Sequence, residues 1–220
     1  MAIHHQKSTN FLGLAHQDYL AARLLIRQGY LSSGVVLAAT AVEKHLKAIL
    51  SLKNLHPKKQ HLDGAVLNLI RINYPDLHDN LDLDFIKFLK RSFKLRYATA
   101  ESPGFGIVIN QYRVLMALDS TIATIDEGFS IKKNGQEIDT PLRGAIANDD
   151  RRVTDDNIAV DSKIFRDLVS RSNKIHEMKV GKDLQTLVVE YETDGVQIEG
   201  SLCKKTDIGF GKNQWQLTKG

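Results

Sequence analysis

Between residues 34 and 52 the apolar positions recur at three- and four-residue steps. Val35, Ala38, Ala39, Val42, Leu46, Ile49 and Leu50 fall on one stripe, which predicts a long buried helix. Residues 11–28 predict another, with Leu14, Asp18, Ala21, Ala22 and Leu25 along its apolar side and Leu24 and Ile26 widening it. Gly29 stops that helix, and Ser32 and Ser33 are the caps expected to open the next. So short a connection predicts antiparallel neighbours. A shorter helix is expected over 62–73, and a polar, turn-like stretch over 76–83. Asp82 or Asp84 is the expected cap of a helix over 84–98, whose apolar face is Phe85, Phe88, Leu89, Ser92 and Leu95. A last long helix is expected over 105–127, carrying Val108, Tyr112, Leu115, Leu118, Ile122 and Ile125.

The pattern changes at Gly128. Residues 129–138 predict a hairpin turning at Asn134-Gly135. Residues 140–160 read as irregular, 162–173 as a short helix, and 184–191 and 196–203 as strands joined by Glu192-Thr-Asp-Gly195. Trp215 falls in a further short strand. The fold class expected is α+β: an all-α bundle over residues 1–127, then a small β-rich or α+β region over 128–220.

Composition narrows the compartment. A lone cysteine, Cys203, rules out an intrachain disulfide and a cysteine zinc cluster. No apolar run approaches the roughly 20 residues that span a bilayer, and MAIHHQKSTN lacks the apolar centre of a secretory signal. These point to the cytoplasm, with no membrane partner. The formal charge of +4 lies in the first half, where residues 1–127 hold fifteen Lys and Arg against eleven Asp and Glu. An anionic partner would therefore meet the helical region.

The clearest cationic feature is the stripe Lys87, Lys90, Arg91 and Lys94, at i, i+3, i+4 and i+7 spacing. It reads as a phosphate-contacting surface or as a solvated helix face, and Lys58 and Lys59 extend it. Glu43 and Lys47 are one turn apart in the order that favours a helical ion pair. Gly34, Ala38 and Ala41 are small enough for close helix contact, here expected with a second copy. His56 and His61 lack a third ligand at metal spacing, so neither a metal nor another cofactor is expected. Gly104-Phe-Gly106 is too short for a phosphate loop. His4 and His5 are read as a disordered terminus.

Taken in order, Ala15-x-x-Asp18, Gly29-Tyr30, then Ala41-Val-Glu-Lys-x-Leu-Lys-Ala48, His61-Leu62 and Arg96-Tyr97 resemble the HEPN domain over about residues 12–127. The resemblance implies an all-α bundle, typically dimeric with its site at the interface. It also implies one of two activities. Many members are metal-independent ribonucleases of toxin–antitoxin or defence systems, marked by Arg, four to six residues, then His. Others lack that signature and bind RNA or nucleotides without catalysis.

Arg96 stands near the place of the signature arginine, but YATAESPGFG follows with no histidine. Arg71 with His78, and Arg171 with His176, meet the spacing elsewhere. With eleven arginines and eight histidines in the chain, about one match is expected by chance. The favoured reading is a dimeric, non-catalytic module that binds RNA or a nucleotide through Lys87, Lys90, Arg91, Lys94 and Arg96. The first rival is a divergent ribonuclease in which Arg96 stabilises phosphorane charge, Tyr97 donates or stacks, and Glu43 is the base. The second is a structural module that meets a protein through residues 128–220. Within the favoured reading, Arg96 is expected to be partly buried and paired with Glu43, bracing two helices.

Overall fold

The computed structural model describes residues 2–55, 62, 64–96, 103–130, 132–133, 136–183 and 185–196. Helix α1 (Ala2–Arg27) and helix α2 (Leu31–Leu52) form an antiparallel hairpin. The helix thus begins ahead of the expected residue 11 and includes the backbone of His4 and His5. Gly29 closes it at φ +82, where the Gly29 N–H donates to Ile26 O and the Tyr30 N–H to Leu25 O. That pair of bonds is a Schellman closure, which glycine adopts without strain. The turn feeds α2 at once, so the expected serine caps are not used: Tyr30 occupies the N-cap without a side-chain bond.

The buried side of α1 is Leu12, Ala15, Tyr19, Ala22 and Ile26. It shares Ala22 and Ile26 with the expected side but not the leucines: Leu14 and Leu24 are 56% and 59% exposed. Both sides carry apolar residues at helical spacing, and only packing against α2 chooses between them. On α2, Val35, Ala38, Val42, Leu46 and Ile49 are buried as expected. Gly34, Ala38 and Ala41 are buried too, inside this chain. A methyl group on Gly34 would lie 2.6 Å from Ile26 Cγ1. Gly34 therefore serves α1–α2 packing, and all three small residues are buried within this chain.

Helices α3 (Gly64–Asn73), α4 (Pro75–Asn80) and α5 (Leu83–Ser92) follow. Helix α4 occupies the stretch expected to be turn-like; Pro75 at its first position suits a helix start, where no N–H is needed. Asp82 caps α5 by accepting from the Asp84 and Phe85 N–H groups at 3.0 and 2.9 Å. Phe85, Phe88, Leu89 and Ser92 form its buried face, as expected. The chain tightens into a 3₁₀ turn over Phe93–Arg96.

The expected helix over 105–127 is two elements. Strand β1 (Gly106–Asn110) comes first, and helix α6 (Gln111–Glu127) begins where the Asn110 side chain accepts from the Arg113 N–H. The β-branched run Ile107-Val108-Ile109 carries a strand preference that the helical spacing hid. What decides the matter is a distant partner, because β1 pairs antiparallel with β4 (Asn173–Val180). β4 pairs in turn with β5 (Thr186–Thr193), giving the order β1-β4-β5.

The expected strand over 184–191 is present as β5, and it forms a hairpin with the preceding β4, turning at residues 181–185. β4 escaped notice because, as the central strand, it is buried on both faces and shows no alternation. Residues 197–203, Trp215 and Cys203 lie outside the described residues. The expected hairpin at 129–138 is present as β2 (Lys132–Lys133) and β3 (Gln136–Glu137). The stretch read as irregular holds α7 (Pro141–Ala147) and α8 (Arg151–Thr154), and α9 (Phe165–Ser170) follows a short 3₁₀ turn.

The architecture is α+β, mostly helical with a small antiparallel sheet. Helix α2 lies at its centre, flanked by α1, α3, α5 and α6. Across residue 128 the packing continues: Phe129, Leu142, Val153, Met178 and Val180 join the same core as the helices.

Candidate nucleic-acid interface

The α5 surface follows from its amphipathic pattern. With Phe85, Phe88 and Leu89 turned inward, Lys87 and Lys90 face solvent, and Lys94 and Arg96 extend the line along the 3₁₀ turn. Residues 83–96 hold five basic side chains against one acid, Asp84. Lys87 pairs with that acid at 2.9 Å. Lys90, Lys94 and Arg96 are exposed and make no ion pair among the described residues. Arg91 differs from its stripe-mates. It is half-buried, with its guanidinium 5.2 Å from the centre of the Phe105 ring. The ring that leads into β1 thus takes this cation out of the stripe.

Arg96 and Glu43 are not paired. Arg96 is exposed, and its guanidinium lies 5.1 Å from the Phe93 ring. Glu43 accepts from Lys47 Nζ at 2.6 Å, the helical pair the spacing anticipated. The expectation of a buried Arg96 fails because in the 3₁₀ turn over Phe93–Arg96 it is Phe93 and Leu95 that pack against the core, which leaves Lys94 and Arg96 exposed. Tyr97, and with it Lys58, Lys59, His56 and His61, lies outside the described residues. Among the described residues no group of His, Cys, Asp and Glu is arranged to hold a metal.

The two spacing matches to the catalytic signature are engaged elsewhere. Arg71 donates to Asn68 Oδ1, and His78, on α4, lies 3.2 Å from Asp79. Arg171 pairs with Asp156 and Asp167, while His176 on β4 meets Glu190 across the sheet at 2.7 Å.

The charged centre of the molecule lies elsewhere, and the sequence reading passed over it. Arg23 on α1 and Asp119 on α6 form an ion pair with both side chains almost wholly buried. Tyr19 donates to the same carboxylate at 2.9 Å, and Asn157 Nδ2 donates to the Tyr19 hydroxyl at 3.1 Å. Arg23 also donates to the carbonyls of Arg152 and Asp155. Burial pushes the Asp119 carboxyl up to about 6, against the pull of Arg23 and the Tyr19 hydroxyl. It raises the Tyr19 phenol well above its usual range. The available signal was a charge on an apolar stripe: Arg23 follows Tyr19 by one turn, and Asp119 lies between Leu115 and Ile122.

Two buried imidazoles stand nearby. Burial lowers His45 to about 4, and its Nδ1 lies 2.8 Å from Ala41 O. His16 is 7% exposed and also lowered by burial, with Asp150 and Arg152 acting in opposite senses. On the outer side of the hairpin Lys44 joins Asp18 at 2.6 Å, tying two of the motif residues that carried the resemblance.

Among the described residues no helix is long and apolar enough to cross a membrane. No curated protein and no solved structure is matched by the chain. The model of the HEPN domain family, by contrast, matches residues 10–118, the stretch that runs from α1 into α6. The motif order, the helical bundle and this match agree, and residues 10–118 of the chain belong to the HEPN domain family.

Proposed function

We propose that this HEPN domain binds RNA or a nucleotide without cleaving it, and that Lys90, Lys94 and Arg96, with Lys87 beside them, are the phosphate-contacting residues. The observation that carries the reading is the row of exposed cations on α5 and its 3₁₀ extension, three of them without a carboxylate partner among the described residues. A bound phosphate would meet them at little desolvation cost. The missing histidine after Arg96 supports binding over cleavage. Arg91, drawn onto Phe105, plays a packing part in this reading. We place the protein in the cytoplasm and read it as a homodimer, with the exposed Leu14 and Leu24 of α1 as the apolar residues a second copy would cover.

Fluorescence anisotropy with a labelled single-stranded RNA and with a nucleoside triphosphate, at two salt concentrations, tests the reading. Binding that weakens with salt and is lost on Lys90→Glu, Lys94→Glu and Arg96→Glu together is the expected result. Absence of binding at low salt rejects it. Cleavage of the RNA, with toxicity on expression that Arg96→Ala relieves, would establish the ribonuclease reading instead.

A further inference from the structure

Among the described residues strand β5 is an outer strand of the three-stranded sheet. Its register with β4 runs without interruption from Asn173↔Thr193 to Val180↔Thr186. One step beyond, the Gly181 N–H donates to Gln185 O at 2.8 Å, so residues 181 and 185 form a hydrogen-bonded pair. Such pairs alternate along an antiparallel ladder. Thr186, Val188, Glu190 and Glu192 therefore occupy the positions whose N–H and C=O groups point away from β4. No partner for these groups is present among the described residues.

Proteins usually protect such an edge with proline, lysine, a bulge or a very short strand. β5, TLVVEYET over eight residues, has none of these, and the charges on its edge are those of Glu190 and Glu192 alone. Its side chains divide by face. Thr186, Val188, Glu190 and Glu192 are exposed, while Leu187, Val189 and Tyr191 are half-buried on the other face. Residues 183–196 contain Asp183, Glu190, Glu192 and Asp194 and no Lys or Arg, in a chain whose net charge is +4. Beside the strand a pocket of about 160 Å³ is lined by Glu190 and Glu192 together with Gly29, Leu31 and Lys174. Lys174 stands opposite Glu192 in the register, yet the two are not within ion-pair distance. Its side chain lies over Gly29 instead, where an added methyl would come 2.8 Å from Lys174 Nζ.

We propose that the outer edge of β5 takes an extended segment of another protein as an added antiparallel strand, in which Lys or Arg alternates with apolar residues. The basic side chains stand opposite Glu190 and Glu192, one of them entering the pocket between these carboxylates and the α1–α2 turn. The alternate apolar side chains cover Leu187, Val189 and Tyr191. Main-chain hydrogen bonds supply affinity and the two glutamates supply selection. A second copy of β5 fits less well, because it would bring further carboxylates to an edge that already carries only acids. The inference stands on the sheet and is independent of the reading of α5.

The test uses the full chain and a fluorescein-labelled ten-residue peptide of alternating Lys and Val. At the antiparallel edge, residues opposite Glu190 and Glu192 exchange main-chain bonds with them, so the lysine N–H groups donate and the valine N–H groups face away. N-methylation of the lysines should weaken binding about tenfold or more, the equivalent of losing one or two hydrogen bonds. N-methylation of the valines should leave it unchanged. Val188→Pro removes an outward N–H without touching the ladder to β4 and should weaken binding similarly. Glu190→Lys with Glu192→Lys should transfer the preference to a peptide of alternating Glu and Val. Equal binding of both N-methylated peptides, or none by the basic peptide at low salt, overturns the proposal. So does a dimer in sedimentation that Val188→Pro converts to monomer, since a second copy then owns the edge.

Discussion

Arg23 on α1 and Asp119 on α6 face each other in the interior, each 1% exposed, and the arginine continues past the carboxylate to the carbonyls of Arg152 and Asp155. One side chain thereby ties the HEPN helices to the segment around α8. A buried ion pair contributes little net stability, but removing one member leaves a charge without its partner.

Arg23→Met and Asp119→Leu should each destabilise the fold by about 3–5 kcal/mol, and the double substitution should recover part of the loss. Recovery stays incomplete because Tyr19 and the two carbonyls also lose a partner. Denaturant melts of the two single variants and the double variant give the coupling. Additive losses would show that the charges do not act together.

His45 sets an acid limit. Its folded-state value of about 4 lies below the unfolded 6.5. The unfolded chain then binds the proton more readily, so the stability from this neutral imidazole is complete above pH 6.5 and is lost as pH falls toward 4. The loss amounts to about 3 kcal/mol. Asp119, raised by burial, works in the opposite sense. The comparison is therefore between the wild type and His45→Gln, in which the Asp119 contribution cancels. As pH falls from 6.5 to 4 the stability difference between the two, read from melts, should move in favour of the variant by about 3 kcal/mol; a difference that does not change with pH would refute the assignment.

For the α5 surface, changing Lys90, Lys94 and Arg96 to Ala should lower the slope of log K against log salt by about 2, the release expected for three phosphate contacts on a single strand. The melting temperature should barely move, because all three side chains are exposed. Arg91→Ala should do the reverse, costing stability through the lost Phe105 contact while leaving the salt slope nearly unchanged. A salt slope that follows Arg91 would return that residue to the interface.

Gly34→Ala tests the α1–α2 seam. Alanine is the better helix former by about 1 kcal/mol. Its methyl would nevertheless lie 2.6 Å from Ile26 Cγ1 and 3.1 Å from the Ile26 backbone nitrogen. The net effect should be destabilisation by about 1–3 kcal/mol, read in a thermal melt. A stabilised variant would mean that the helices can part at no cost.

Local pattern settled a good deal by itself. The long α2 stripe, the glycine closure at Gly29, the Asp82 cap, the Glu43–Lys47 pair and the buried face of α5 each depend on residues within about a turn of one another, and each is where the sequence placed it. Each motif between residues 15 and 97 is likewise local, and their order along the chain pointed to the family that the match over residues 10–118 shows. Tertiary structure decided the features that need a remote partner. Residues 106–110 are a strand because residues 175–179 lie beside them, and β4 hides its alternation by being covered on both faces. The side of α1 that is buried was chosen by α2, and the choice turned Leu14 outward and Arg23 inward. Arg23 and Asp119 are 96 residues apart in the chain. No local spacing relates them, and only the packing of α1 against α6 makes one charge the partner of the other.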